Sequence, residues 1–124
     1  MSLAWDQSTP IYQQLRDRTV ASILDGHLNE GDLLPSVRQV AIDLQVNPIT
    51  VSKAYQILVD EGLVVAERGI GMRIKNGARD QLLHDERTRF LTTVWPQIVD
   101  QINQLNLSWD ELPLPPSTKK AQHR

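Results

Sequence analysis

The strongest constraint in this chain is the stretch from Ser36 to Gly62, SVRQVAIDLQVNPITVSKAYQILVDEG, which carries two helix starts with only Gln45 and Val46 as the turn between them. Ser36 is an N-cap, and Gln39 completes a capping box: the Ser hydroxyl accepts from the Gln39 N–H while the Gln side chain reaches back. Asn47 caps the second helix, and Pro48 takes its first position, where a missing N–H costs nothing. Val37, Val40, Ala41 and Leu44 give the first helix a small apolar face. Val51, Ala54, Leu58 and Val59 give the second a stripe that ends at Gly62, a natural terminating residue. Two such helices separated by so short a turn form a helix-turn-helix.

The third wall of their common core lies upstream. In TPIYQQLRDRTVASILDG, residues Ile11, Leu15, Val20, Ile23 and Leu24 recur near helical spacing, opened by Thr9 or Pro10 and closed by Gly26. HLNEGDLLP then reads as a loop punctuated by Gly31 and Pro35. Downstream the period changes. In LVVAERGIGMRIK, Met72 and Ile74 alternate with Arg73 and Lys75, and the tight turn RGIG separates them from a valine-rich run. A two-stranded ribbon is marginal alone, so it is predicted to pack on the three helices. The expected fold class is mainly α with a small β-hairpin: a winged helix-turn-helix DNA-binding domain over residues 1–77, followed by a two-helix C-terminal dimerisation segment over 78–112. In that segment Leu91, Val94 or Trp95, Ile98, Ile102 and Leu105 keep helical spacing. Pro96 interrupts the helix and should bend it. LSWDEL offers a second capping box, Ser108 with Glu111, and so a short final helix. Residues 113–124, PLPPSTKKAQHR, have the composition of a disordered tail.

Composition narrows the function. A net charge of −2 argues at first against a nucleic-acid partner, but the charge is sided. Arg68, Arg73, Lys75 and Arg79 fall in a stretch without an acid, and Asn47 to Val59 holds Lys53 and again no acid. The acids Asp17, Asp25, Glu30, Asp32, Asp43, Asp60 and Glu61 collect elsewhere, and a sided map steers a polyanion better than net charge suggests. The absence of cysteine excludes disulfides and thiolate chemistry. No run approaches the ~18 apolar residues of a membrane span, and MSLAWDQSTP lacks the layout of a signal peptide, so no membrane partner is expected and the cytoplasm is. His27, His84 and His123 are scattered, no metal-ligand spacing appears, and no nucleophile has a base nearby in a readable motif. No catalytic residue, metal site or cofactor is predicted.

The helix that opens at Asn47 begins with the β-branched Ile49, Thr50 and Val51 and has no acid in its first turn. Asp and Glu favour that position because they complement the helix dipole; leaving it free suits another anion. The second helix of a helix-turn-helix lies in the DNA major groove with its N-terminal residues against base edges. Asn47, Ile49, Thr50 and Lys53 lie off the buried stripe, with Pro48 among them. Ile49 and the Thr50 methyl suit a thymine methyl, and Asn47 and Thr50 can hydrogen-bond a base or phosphate. Arg38, beside the Ser36 cap, can reach base or phosphate, or pair with Asp43 or Glu30 on the surface. Arg68 at the hairpin tip can enter the minor groove, with Gly69 and Gly71 permitting close backbone approach.

These residues carry a resemblance. LPSVRQVA, VNPITVSKAYQIL and EGLVVAERGIG, in this order and spacing, resemble the DNA-binding domain of the GntR family of bacterial transcription regulators over roughly residues 9–75. The resemblance implies a winged helix-turn-helix that binds operator DNA as a dimer, with Ser36, Arg38, Asn47, Thr50, Lys53, Arg68 and Gly69 at the family's contact positions. Two departures stand out: Thr19 replaces an aliphatic residue, and Met72-Arg73 replaces a Thr-aromatic pair, which bears on the wing's detailed contacts. Residues 78–124 are too few for the family's large effector-binding domains and resemble the helical tail of its YtrA-like subgroup. Phe90, Leu91, Val94, Trp95, Ile98 and Ile102 form an apolar face long for so little domain, which marks an interface; the same helix could instead fold back on the winged domain. The expectation is a dimeric repressor on double-stranded, palindromic operator DNA, with room for a small-molecule effector of unidentified chemistry. The competing expectation is a winged-helix protein–protein interaction module without specific DNA binding.

Overall fold

The computed structural model describes residues 5–115. Its helices are α1 (Ile11–Leu24), α2 (Val37–Leu44), α3 (Pro48–Asp60), α4 (Ala78–Arg89) and α5 (Trp95–Gln104), with a hairpin of β1 (Val64–Glu67) and β2 (Gly71–Ile74) after α3. A π-helical turn, Phe90–Val94, joins α4 to α5, and a 3-10 turn, Trp109–Glu111, follows. The chain divides into two compact units, Met1–Asp85 and Glu86–Arg124. Of the tail predicted to be disordered, Pro113 to Pro115 have no regular structure and the rest lies outside the described residues.

The first unit has a single core. Leu15, Val20 and Ile23 of α1 meet Val40 and Ala41 of α2 and Val51, Ala54, Tyr55 and Leu58 of α3, with Leu63, Val64 and Ile74 from the wing. Ala78 and Leu82, in the first turns of α4, join the same cluster. Leu58 is completely buried, so truncation to alanine would cost about 3 kcal/mol in lost burial and residual cavity. That loss would loosen α3, the element that carries Pro48, Ile49, Thr50 and Lys53.

Local chemistry explains the helix starts. The Ser36 side chain accepts from the Gln39 N–H at 3.1 Å, but Gln39 does not reach back: its side chain donates to Asp43 at 2.8 Å instead. Only half of the expected box forms, because an i,i+4 partner on the exposed face competes for the amide. Asn47 accepts from the Ile49 N–H at 2.8 Å, and Pro48 stands in the first turn of α3. The turn between the helices closes on Gln45, which adopts a left-handed conformation with φ +57°.

The wing differs from a bare ribbon. β1 and β2 pair antiparallel with Val64 opposite Ile74 and Glu67 opposite Gly71. The segment read as a loop supplies a third edge: Gly31 N–H donates to Ile74 O at 2.8 Å, Ile74 N–H to Asp32 O at 2.9 Å, and Leu34 N–H to Met72 O at 2.8 Å. Leu33 forms a bridge with Arg73. These bonds satisfy the outer edge of β2 and tie it to the entry of α2, which removes the marginality of two strands alone.

In the second unit, Pro96 is accommodated by a change of helical pitch. The Trp95 N–H bonds to Phe90 O, five residues back. Widening the turn absorbs the ladder bond that proline cannot donate.

Candidate nucleic-acid interface

The buried stripe Val51, Ala54, Tyr55 and Leu58 fixes the rotation of α3. What it leaves outward is Asn47, Pro48, Ile49 and Lys53, all exposed, with Thr50 half-buried between them. Ile49 is 74% exposed, an arrangement that gains nothing from the protein's own packing. The Asn47 carbonyl oxygen is committed to the cap, so its amide group alone can donate outward. Lys53 rests its ammonium 4.2 Å from the centre of the Tyr12 ring, so α1 holds that cation in place.

The acid-free first turn of α3 is observed, but α1 and α2 share it. The start of α4 departs, with Asp80 in its first turn, but the feature does not single out α3.

Arg38 is exposed on the first turn of α2. Its two expected surface partners are engaged elsewhere: Asp43 accepts from Gln39, and Glu30 accepts from the Arg79 N–H at 3.2 Å. Backbone donors from Gly77 and Arg79 hold the Glu30 carboxyl below its ordinary pKa. Among the described residues, no ion pair or hydrogen bond engages the side chain of Arg38 or Arg68.

The basic hairpin is less basic than its sequence. Arg73 donates to Glu67 at 2.9 Å and to the Gly31 carbonyl at 2.7 Å, and its hydrogen bond to Glu67 raises its pKa further. Arg79 donates to the Leu24 carbonyl at 3.1 and 3.2 Å. Both are structural clamps, which leaves Arg68 as the cation at the tip. Gly69 beside it has φ +79°, a conformation that favours glycine.

A groove of about 570 Å³ runs under the wing, and it brings Ser36, Arg68 and Gly69 together with Pro35, Val37, Tyr55 and Ile70. Sequence reasoning missed Tyr55, which it left out of the stripe. Its ring is 3% exposed, and its hydroxyl donates to the Pro35 carbonyl at 2.7 Å. Burial pushes its pKa up to about 12. The bond fastens α3 to the residue that precedes the Ser36 cap, and so sets the separation of the two helices.

In the second unit, Phe90, Leu91 and Trp95 are exposed, Val94 and Ile98 are half-buried, and Ile102 is buried. Trp95 stands 6.4 Å from Phe90 and 6.0 Å from Trp109, forming an aromatic row. Leu105, which keeps helical spacing with that set, is exposed, and Trp109 is an exposed addition to it. No group of His, Asp or Glu among the described residues could hold a metal ion, and no described helix is long and apolar enough to cross a membrane.

Comparison with known proteins agrees with this geometry. The family described as bacterial regulatory proteins, gntR family, matches residues 10–74. The HTH-type transcriptional repressor YtrA of Bacillus subtilis (strain 168) is 39% identical over 93 residues, covering 75% of this chain and 72% of that protein. The HTH-type transcriptional regulator YhcF of the same strain is 31% identical over 112 residues, 90% of this chain and 91% of its own. A GntR family transcriptional regulator from Listeria monocytogenes superposes with a TM-score of 0.73 at 28% identity, over 86% of this chain and 92% of that one.

Proposed function

The chain belongs to the GntR family and is a DNA-binding transcription regulator, and on that premise we propose that it is a cytoplasmic homodimeric repressor that occludes a palindromic operator. In this reading α3 enters the major groove. Asn47, Pro48, Ile49 and Thr50 face base edges, and Lys53, Arg38 and the Ser36 cap hold the flanking phosphates. The wing places Arg68 and Gly69 in the adjacent minor groove. Phe90, Leu91, Val94, Trp95 and Ile98 form the dimer interface, from which Ile102 drops out because it is already buried in the single chain, and a two-fold pair of recognition helices then requires a symmetric site.

The observation that carries the reading is the set of side chains without internal work. Ile49 is exposed at the start of α3, and Arg38 and Arg68 have no partners among the described residues. Exposed cations contribute little to stability, whereas toward DNA each neutralises a phosphate and releases counterions. Repression is favoured by the likeness to YtrA, itself a repressor.

The test is a combined Asn47→Ala, Thr50→Ala, Lys53→Ala and Arg68→Ala variant titrated against operator DNA. The variant is expected to keep its helical circular dichroism and dimer mass while its affinity falls to the non-specific level, roughly a thousandfold or more. Retained operator affinity in the folded variant would refute the assignment.

A further inference from the structure

The wing tip is a narrow probe with two different side chains. Residues 69 and 71 are glycines, so between Glu67 and Met72 only Arg68 and Ile70 project. The Ile70 N–H bonds to Glu67 O at 2.9 Å, closing the turn over Gly69. Turns of this kind ordinarily carry Gly, Asn, Asp or Ser, yet Ile70 is 59% exposed. Ile70 also lines the groove that faces Ser36 and Arg68, on the side of the hairpin toward α2.

We propose that Ile70 is a specificity-determining residue that selects A·T pairs from the minor groove, an inference that rests on the operator-binding reading above. The minor groove is about 6 Å wide and shows adenine N3 and thymine O2 acceptors at A·T, to which G·C adds the guanine amino donor. A branched apolar side chain seated on the groove floor occupies the space of that amino group and leaves its donor unpaired. Arg68, which can only donate, serves the A·T acceptors and offers nothing to the amino group. Minor-groove acceptors are present at both kinds of pair, so Arg68 anchors the tip and the discrimination against G·C falls to Ile70. Arg73, the other arginine of the hairpin, is held by Glu67 and Gly31 and takes no part.

The test uses the full chain and an operator recovered by selection. Each A·T pair is replaced in turn by G·C and by inosine·cytosine, which keeps the major-groove edge of G·C but lacks the minor-groove amino group. At one or more pairs flanking the α3 contacts, G·C is expected to weaken binding roughly tenfold and inosine·cytosine to restore it. Ile70→Ala should abolish that preference, and Ile49→Ala, whose side chain addresses the major groove, should leave it intact. The proposal is overturned if no pair shows inosine rescue, or if rescue survives Ile70→Ala. Failure of the operator-binding reading has a different signature, since no sequence would then be enriched at all; that result would overturn both.

Discussion

Replacing Tyr55 with phenylalanine isolates one bond between the two helices of the DNA-reading motif. The ring is 3% exposed, so its packing survives the change, and what is lost is the 2.7 Å hydrogen bond to the Pro35 carbonyl. A bond of this kind contributes about 1 kcal/mol net, and Pro35 is exposed, so water can reach its carbonyl in the variant. At neutral pH the variant should therefore be less stable by about 1 kcal/mol, or about 5 °C in Tm. The pH dependence gives a sharper signature. Burial raises the hydroxyl from 10.0 to about 12. Below pH 10 both folded and unfolded chains hold the proton, and the contribution is complete. Above it the unfolded chain ionises first, and wild type loses up to about 1.4 kcal/mol per pH unit until the folded group titrates. By about pH 11 this loss is comparable with the value of the bond, so the advantage of wild type over the phenylalanine variant shrinks away. Urea denaturation of both proteins at pH 7 and about pH 11, followed by tryptophan fluorescence, measures the difference directly. An equal difference at the two pH values, or no difference at pH 7, would refute the reasoning.

Arg38→Ala should leave Tm unchanged and lower the slope of log Kd against log salt by about one, as expected for one lost phosphate contact; fluorescence anisotropy across a salt series reads it, and an unchanged slope contradicts the assignment. Arg73→Ala should do the opposite, lowering Tm through loss of the Glu67 and Gly31 bonds while leaving the salt slope in place. A reduced slope there would restore Arg73 to the DNA-facing set. Leu91→Glu places a charge on a residue that is 61% exposed in the single chain; if that face is the interface, sedimentation equilibrium should show dimerisation weakened by at least about 2 kcal/mol, roughly 30-fold. A dimer of unchanged strength would remove Leu91 from the interface.

Much of the winged unit was legible because its signals are local. The Asn47 cap with Pro48, the Ser36 cap and the change from helical to alternating period each depend on residues a few positions apart, and each appears where the sequence puts it. What escaped is non-local. The third edge of the wing comes from a segment with no alternation, held by backbone bonds from Gly31, Asp32 and Leu34 to β2. Formal charge counted Arg73 and Arg79 with the DNA-facing cations, but their partners, Gly31 and Leu24, lie 42 and 55 residues away in sequence. Tyr55 escapes an aliphatic pattern, because tyrosine serves a core equally well when its hydroxyl finds an acceptor. At Gln39 the sequence pattern allowed two partners, and the side chain took the i,i+4 carboxylate instead of the cap.

The central claim is that this chain reads a symmetric DNA site through α3 and the wing. Selection of bound duplexes from a random library at about physiological salt, where non-specific binding is weak, followed by sequencing, tests it most directly. The account predicts enrichment of a palindrome with half-sites about one helical turn apart, lost in the combined Asn47, Thr50, Lys53 and Arg68 variant. An asymmetric site bound by a dimer would contradict the two-fold arrangement. No enrichment from folded, dimeric protein would contradict the claim itself.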